Sequence, residues 1–183
     1  IQAATELQPL LMGIVIAVIV GILLTLPTSS AAICIAIGLG GLAGGAAVVG
    51  CAAHMIGFAV ASFKDNGFSG VISQGLGTSM LQIPNVLKKP IILLPAIVAS
   101  AIVGPIATVV FKLACTATGA GMGTAGLVGV FGVIEASQGL MSTTQLWTAI
   151  ILLMFVLPAI IAGSVAWLMR KSGWLVAGDM KLP

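Results

Sequence analysis

LQPLLMGIVIAVIVGILLTLPTSSAAICIAIGLGGLAGGAAVVGCAAHMIGFAVASF, residues 7–63, contains no Asp, Glu, Lys or Arg. One helical crossing of a bilayer needs about 20 apolar residues, so this stretch alone implies more than one crossing. The rest of the chain agrees: of 183 residues 60% are hydrophobic and 6% charged, with a mean hydropathy of +1.26. A soluble domain carries about 25% charged residues. The apolar repertoire continues to the far end, which a removable secretory signal does not explain. The expected class is all-α, a polytopic membrane helical domain over residues 1–183 with about four or five full spans and re-entrant hairpins. The chain begins at Ile1 and reads as a piece of a longer one.

Within the opening stretch, Leu10 to Leu26 reads as the first span. It stops at Pro27, and Thr28, Ser29 and Ser30 offer caps for the next helix. Ala31 to Phe63 is too long for one comfortable crossing, so it forms one bent helix or two. Its centre, GLGGLAGG, sets Gly40/Gly44 and Gly41/Gly45 at the spacing that lets helix backbones approach closely.

Outward from there, KDNGFSGVISQGLGTSMLQIPNVLKKP (64–90) has apolar runs too short to span. It either lies at the interface or dips in and returns. Irregular backbone at membrane depth is tolerated only when buried in protein or lining a wet cavity. In that case Gln74, Thr78, Ser79, Gln82 and Asn85 would be the polar lining. Ile91 to Phe111 spans next, with a kink expected at Gly104-Pro105. The glycine-dense TATGAGMGTAGLVGVFGVIEASQGL (116–140) suits a second re-entrant element better than a lipid-facing helix. In the last span Trp147 and Trp167 stand 20 residues apart, about 30 Å along a helix, as two aromatic anchors would. Pro158 kinks its middle, and Arg170 and Lys171 place its end in the cytoplasm.

Two ionisable residues stand alone in apolar sequence. Glu135 has no basic residue nearer than Lys112 and Arg170, and a carboxylate so placed has to be protonated, paired or facing water. It can accept hydrogen bonds from two hydroxyls at once, which suits a neutral sugar, although capping a short helix is the simpler alternative. His54, the sole histidine, lies between small residues that leave either a tight helix contact or room for a ligand. Imidazole donates, accepts and can take a proton from a hydroxyl under attack. Cys34, Cys51 and Cys115 lack CxxC spacing and read as core residues. No P-loop, zinc spacing or GxSxG elbow is present, and neither a cofactor nor a metal is expected. The net charge of +3 reflects membrane orientation rather than nucleic-acid binding.

The stretches LQPLLMGIVIAVIVGILLTLPTSSAAICIAIGLGGLAGGAAVVGCAAHMIGF, MLQIPNVLKKPIILLPAI and GTAGLVGVFGVIEA resemble the membrane-embedded IIC component of the bacterial sugar phosphotransferase system. The likeness is to its stand-alone branch, which includes perfringolysin-O-regulator-like proteins, and to the C-terminal part of the fold. It implies a multi-pass permease of the bacterial inner membrane, homodimeric at full length, that binds a sugar and works with a separate IIB phosphocarrier. It also implies sugar contacts at His54 and at Glu135, where GVIE stands for a GITE-like motif with Ile134 in place of threonine. Gln82 and Asn85 complete the expected substrate-binding set. A membrane regulator or sensor with the same fold, and an ion-coupled transporter using Glu135 as a proton site, are the competing functions.

Overall fold

The computed structural model describes residues 1–182, all of whose regular structure is helical apart from one bridge between Gly41 and Cys115. A short α1 (Gln2–Leu7) leads into α2 (Pro9–Thr25), which ends where Leu26 turns extended before Pro27. Ser29 accepts a hydrogen bond from the Ala32 N–H and so caps α3 (Ser30–Ala36). The long apolar tract is therefore two helices, broken where Gly38 adopts a left-handed φ of +61° that a side chain would strain. Beyond the break, α4 (Gly41–Ala61) is the central post of the molecule, with 89% of its apolar window buried.

After α4 the chain breaks up as α5 (Phe63–Ile72), a wide π turn (Ser73–Gly77), a 3-10 turn (Ser79–Gln82) and α6 (Ile83–Lys88). A 3-10 turn at Pro90–Leu93 then starts α7 (Leu94–Pro105), which runs on through a π turn at Ile106–Val110. The second broken segment holds α8 (Ala117–Ala120), a turn at Ala125–Leu127, and α9 (Val128–Ser137). The last crossing combines α10 (Thr143–Ile150), a π turn (Ile151–Val156) and α11 (Leu157–Lys171). Both expected kinks take the form of π turns beside Pro105 and Pro158. A proline lacks the N–H that the regular ladder needs, and a wide turn absorbs the loss.

Three continuous helices among the described residues are long and apolar enough to cross a membrane: Gly41–Ala61, Pro90–Val110 and Thr143–Lys171. Pro9–Thr25 and Ala125–Ser137 are shorter apolar helices. The architecture is thus all-α and polytopic. Trp147 and Trp167 both face outward from the last crossing, as anchors do. The three cysteines are free and buried.

Glycine packing holds the segments to α4. A Cβ on Gly50 would collide with the backbone of Ala17 in α2, and one on Gly45 with the Leu113 carbonyl. A Cβ on Gly44 would stand 2.7 Å from the Cys115 carbonyl oxygen. Of the glycines in GLGGLAGG, Gly44 and Gly45 thus serve close packing, against the non-helical stretch 113–115, while a Cβ on Gly41 would meet nothing within 4 Å. We expect Gly50→Val to destabilise the fold by about 1–3 kcal/mol, since backbone cannot move aside as a flexible side chain would. Thermal unfolding in detergent checks this, with Gly77→Ala as the neutral control, because nothing lies within 4 Å of a Cβ there.

One end of the molecule gathers the cations. Arg170 donates to Asp65 at 2.8 Å and to the Ala61 carbonyl at 3.2 Å, tying the ends of α4 and α11 together. Lys89 pairs with Asp179 at 2.6 Å. Lys64, Lys88, Lys171 and Lys181 adjoin these pairs in sequence, and the positive-inside rule expects such an end to face the cytoplasm. Here the C-terminal segment lies across the first broken segment. Asn66 and Gln82 amides donate to the Met180 carbonyl at 2.8 and 3.0 Å, Asn85 donates to Lys181 at 2.9 Å, and Gly178 N–H donates to Asp65 at 3.0 Å. Met180 is fully buried beneath them.

The Lys89 hydrogen bond, helped by the Val176 N–H, holds the Asp179 carboxyl below the usual carboxylate range. A folded-state pKa below the unfolded value gives stabilisation that is present above the unfolded pKa and lost as pH falls through the folded one. Acidification below the ordinary carboxylate range should therefore loosen residues 174–182 first. Hydrogen exchange of that segment measures it, and Lys89→Gln should reproduce the loosening at neutral pH.

Candidate functional site

Three breaks in the helical framework converge at one depth beside α4. The turn after α2, the tip of the first broken segment near Gly75–Ser79, and the tip of the second near Gly121–Leu127 touch one another through single polar contacts. Thr124 donates to the Gly75 carbonyl at 2.6 Å, joining the second tip to the first. Ser30 donates to the Gly121 carbonyl at 2.7 Å, joining the start of α3 to the second tip. Thr25 and Ser79 hydroxyls stand 3.1 Å apart, joining the end of α2 to the first tip. The segment 63–89 is folded into the protein at Gln74, Gly75, Ser79 and Gln82, while most of α5 lies exposed on the surface.

His54 faces this junction from α4, fully buried. Its Nδ1 lies 3.0 Å from the Thr25 hydroxyl, while Nε2 has no hydrogen-bond partner. Thr25 also lies 3.2 Å from the Gly21 carbonyl one turn back. One arrangement satisfies every donor: Thr25 donates to Gly21 and accepts from both Ser79 O–H and His54 Nδ1–H. The bare nitrogen of the ring is then Nε2, an acceptor. The opposite tautomer would bury an unpaired N–H, which is the costlier defect. The ring fits only because residue 21 is glycine, since a Cβ there would stand 2.5 Å from Cδ2 and 2.9 Å from Nε2. Phe58 closes the other side edge-on, at 6.2 Å between ring centroids.

The second tip carries backbone strain. Gly123 packs its Cα onto the backbone of Cys51 and Ala52 at φ +55°, a close approach that only glycine allows. Leu127 adopts a left-handed φ of +61°, which costs a residue with a Cβ about 1–2 kcal/mol and which clusters at functional sites. α9 begins immediately after it, with no side-chain cap.

The other expected residues lie elsewhere. Glu135 is exposed near the far end of α9 and forms no ion pair among the described residues. Its neighbour Ser137 donates to the Ala114 carbonyl, and Gly45 of α4 meets Leu113, so Glu135 sits level with the start of α4. His54 is nine residues further along that helix, about 13 Å by helical rise. The structure does not bring the two together. Gln82 and Asn85 do lie together, Asn85 donating to Gln82 at 2.8 Å, in a chain that continues through Gln74 to Ser62. Their amide protons are taken by this chain and by the C-terminal segment. Gln74 and Ser79 are buried and Thr78 partly so.

Sequence reasoning missed Thr25 and Thr124. Thr25 looked like the tail of an apolar span, though a hydroxyl two residues before Pro27 was a signal that the helix ends inside the protein. Thr124 stood among glycines whose turns were visible but whose partner, Gly75, was not.

The family model described as phosphotransferase system, EIIC matches residues 1–182. The chain belongs to this EIIC family. It is a membrane permease component of a sugar phosphotransferase system, a class that acts on sugars with IIB partners. The search of curated proteins and the search of solved structures each returned no match.

Because His54 is the only histidine, selectively labelled histidine gives one pair of ring 15N signals in this EIIC chain. We expect Nε2 to resonate as the unprotonated nitrogen. Thr25→Val should shift the tautomer balance, and Thr25→Ser should restore it.

Proposed function

We propose that this EIIC chain binds a sugar at the junction of the broken segments and passes it across the bacterial inner membrane to the cytoplasmic face. The observation that carries this reading is the His54 Nε2, a buried acceptor with no partner where three breaks in the helical framework meet. Transporters commonly place substrates at such broken elements near the bilayer middle. The hydroxyls of Thr25 beside the ring, and of Ser79 and Thr124 at the two tips, match a polyhydroxyl ligand in kind.

In this reading the described conformation is closed over the ring. Gly21 covers Nε2, so a sugar reaches it only when α2 or the first tip moves aside. A rocking or elevator-like movement of the hairpins does this and exposes the sugar to the cytoplasmic end. There a sugar hydroxyl attacks the phosphorus of a phosphocysteine on a separate IIB protein. The O–P bond forms, the S–P bond breaks, and the IIB thiolate leaves. His54 Nε2 accepts the hydroxyl proton or positions it, and most of the catalysis is alignment of the reacting groups. Glu135 is the second sugar contact on the moving hairpin. Gln82 and Asn85 contribute by shaping the first tip, and contact sugar when the C-terminal segment lifts.

Binding of a labelled sugar panel to the full-length protein tests the assignment. His54→Ala should weaken binding about 10–100-fold, the range for losing a strong buried hydrogen bond. Gly21→Ala, which pushes on the ring without removing it, should weaken binding in the same direction, and Glu135→Gln should slow uptake. Unchanged binding of every sugar in His54→Ala would sink the site. Binding that persists while IIB-dependent uptake is absent would favour the regulator function.

A further inference from the structure

A groove on the outer surface at the cytoplasmic end has charged residues at one end and apolar ones along its length. It runs between the end of α4, α5 and α11, with a volume of about 290 Å³, and Val60, Gly163 and Trp167 form its floor and wall. Lys64 and Arg170 line the same groove. A second depression of about 460 Å³ shares Gly163 and Trp167 and continues along α11 to Ile160. Ile160 precedes Trp167 by two helical turns, about 10 Å toward the membrane middle. Phe63, Ile160, Trp167 and Leu168 are all exposed around it. The groove therefore opens on the apolar belt that faces lipid, and only its upper end is polar.

The charges at that end are unbalanced. Asp65, the nearest carboxylate, already accepts from Arg170 with one oxygen and from the Gly178 N–H with the other. Lys64 has no carboxylate partner among the described residues, and neither has Lys171. The Lys171 ammonium lies over the ring of Trp167, a groove residue, at 5.4 Å from its centroid. Trp and Lys in this arrangement mark the headgroup level of a membrane. A ligand matching all of this carries an anionic head and a hydrocarbon tail.

We propose that the groove is a binding site for an anionic phospholipid of the cytoplasmic leaflet. The phosphate lies between Lys64, Arg170 and Lys171, and one acyl chain lies over Gly163 toward Ile160. Basic pockets between membrane helices on the cytoplasmic side suit such headgroups. Gly163 is the specificity determinant for the tail, because any side chain there occupies the groove. A Cβ at this position would meet only Val60 Cγ1, at 3.1 Å, so a larger residue fills the space without displacing backbone.

Native mass spectrometry of the full chain, titrated with phosphatidylglycerol and with phosphatidylcholine of the same acyl chains, tests this. The wild-type chain should hold one phosphatidylglycerol in preference to phosphatidylcholine. Lys64→Gln, a surface change, should weaken that lipid about fivefold, as loss of one interfacial cation does. Gly163→Leu should abolish its retention although every cation remains. Equal retention of the two lipids would overturn the proposal. So would full retention in Gly163→Leu, which would show a diffuse surface charge effect. Displacement of the lipid by inorganic phosphate alone would assign the cations to a soluble anion and overturn it too.

Discussion

The contact of bare backbone on bare backbone along α4 is the constraint on which the rest of the structure depends. Gly44 and Gly45 lie against the carbonyls of Cys115 and Leu113, Gly50 lies against Ala17, and Ala52 takes the Cα of Gly123. Three stretches of chain, 113–115, α2 and the tip at Gly123, thus reach one helix at a distance that side chains would forbid. The reason is the solvent. Irregular backbone at membrane depth has no water to bond with, so it has to be enclosed by protein. A helix of ordinary large residues would hold these segments away and leave their polar groups facing hydrocarbon. An α4 built from Gly, Ala and Val encloses them, and it is buried on all sides as a result.

What α4 encloses is held together weakly at the tips. The two broken segments meet through the Thr124 to Gly75 hydrogen bond, and α2 meets the first tip through Thr25 and Ser79. A single hydrogen bond contributes about 1 kcal/mol net. The glycine contacts of α4, by contrast, rest on whole stretches of packed surface. The tips thus meet one another through fewer contacts than each makes with its supporting helix, and the unpartnered His54 nitrogen faces their junction from α4. Regions that move in function are drawn from the low-stability parts of a fold.

The all-α membrane architecture was legible because it follows from composition and run length. So were the broken segments, since 64–90 and 116–140 lack apolar runs long enough to span. His54 stood out as a lone ionisable group, and it is buried at the junction with Thr25 of α2 as its hydrogen-bond partner. Long-range pairing was not legible. Nothing local in KDNGFSGVISQ says that Gln74 reaches Ser62, or that Asp65 receives Arg170 from more than a hundred residues away. Gln82 and Asn85 show the difficulty best: a polar lining and a polar clasp have the same composition, and only the C-terminal segment docked on them distinguishes the two. Thr25 was hidden for a related reason, because helix propensity cannot tell a helix ending inside the protein from one ending at the interface.

The separation of Glu135 from His54 bears on how the molecule works. Both sit in apolar sequence, yet one is sealed against Gly21 and the other is exposed about 13 Å back toward the start of α4. An ionised carboxylate inside hydrocarbon would cost at least a few kcal/mol, so Glu135 in a bilayer needs a proton, a partner or water. It rides on α9, whose start is the strained tip at Leu127 and whose face toward α4 meets Val48 through Gly129. Movement of that hairpin would carry Glu135 relative to a fixed His54, with small residues of α4 offering few obstacles along the way. A sugar held by His54 in one state and by both residues in another would be gripped differently on the two sides of the membrane. That difference in grip between states is what a transporter needs, since a ligand shifts a conformational equilibrium only by its differential affinity for the two forms.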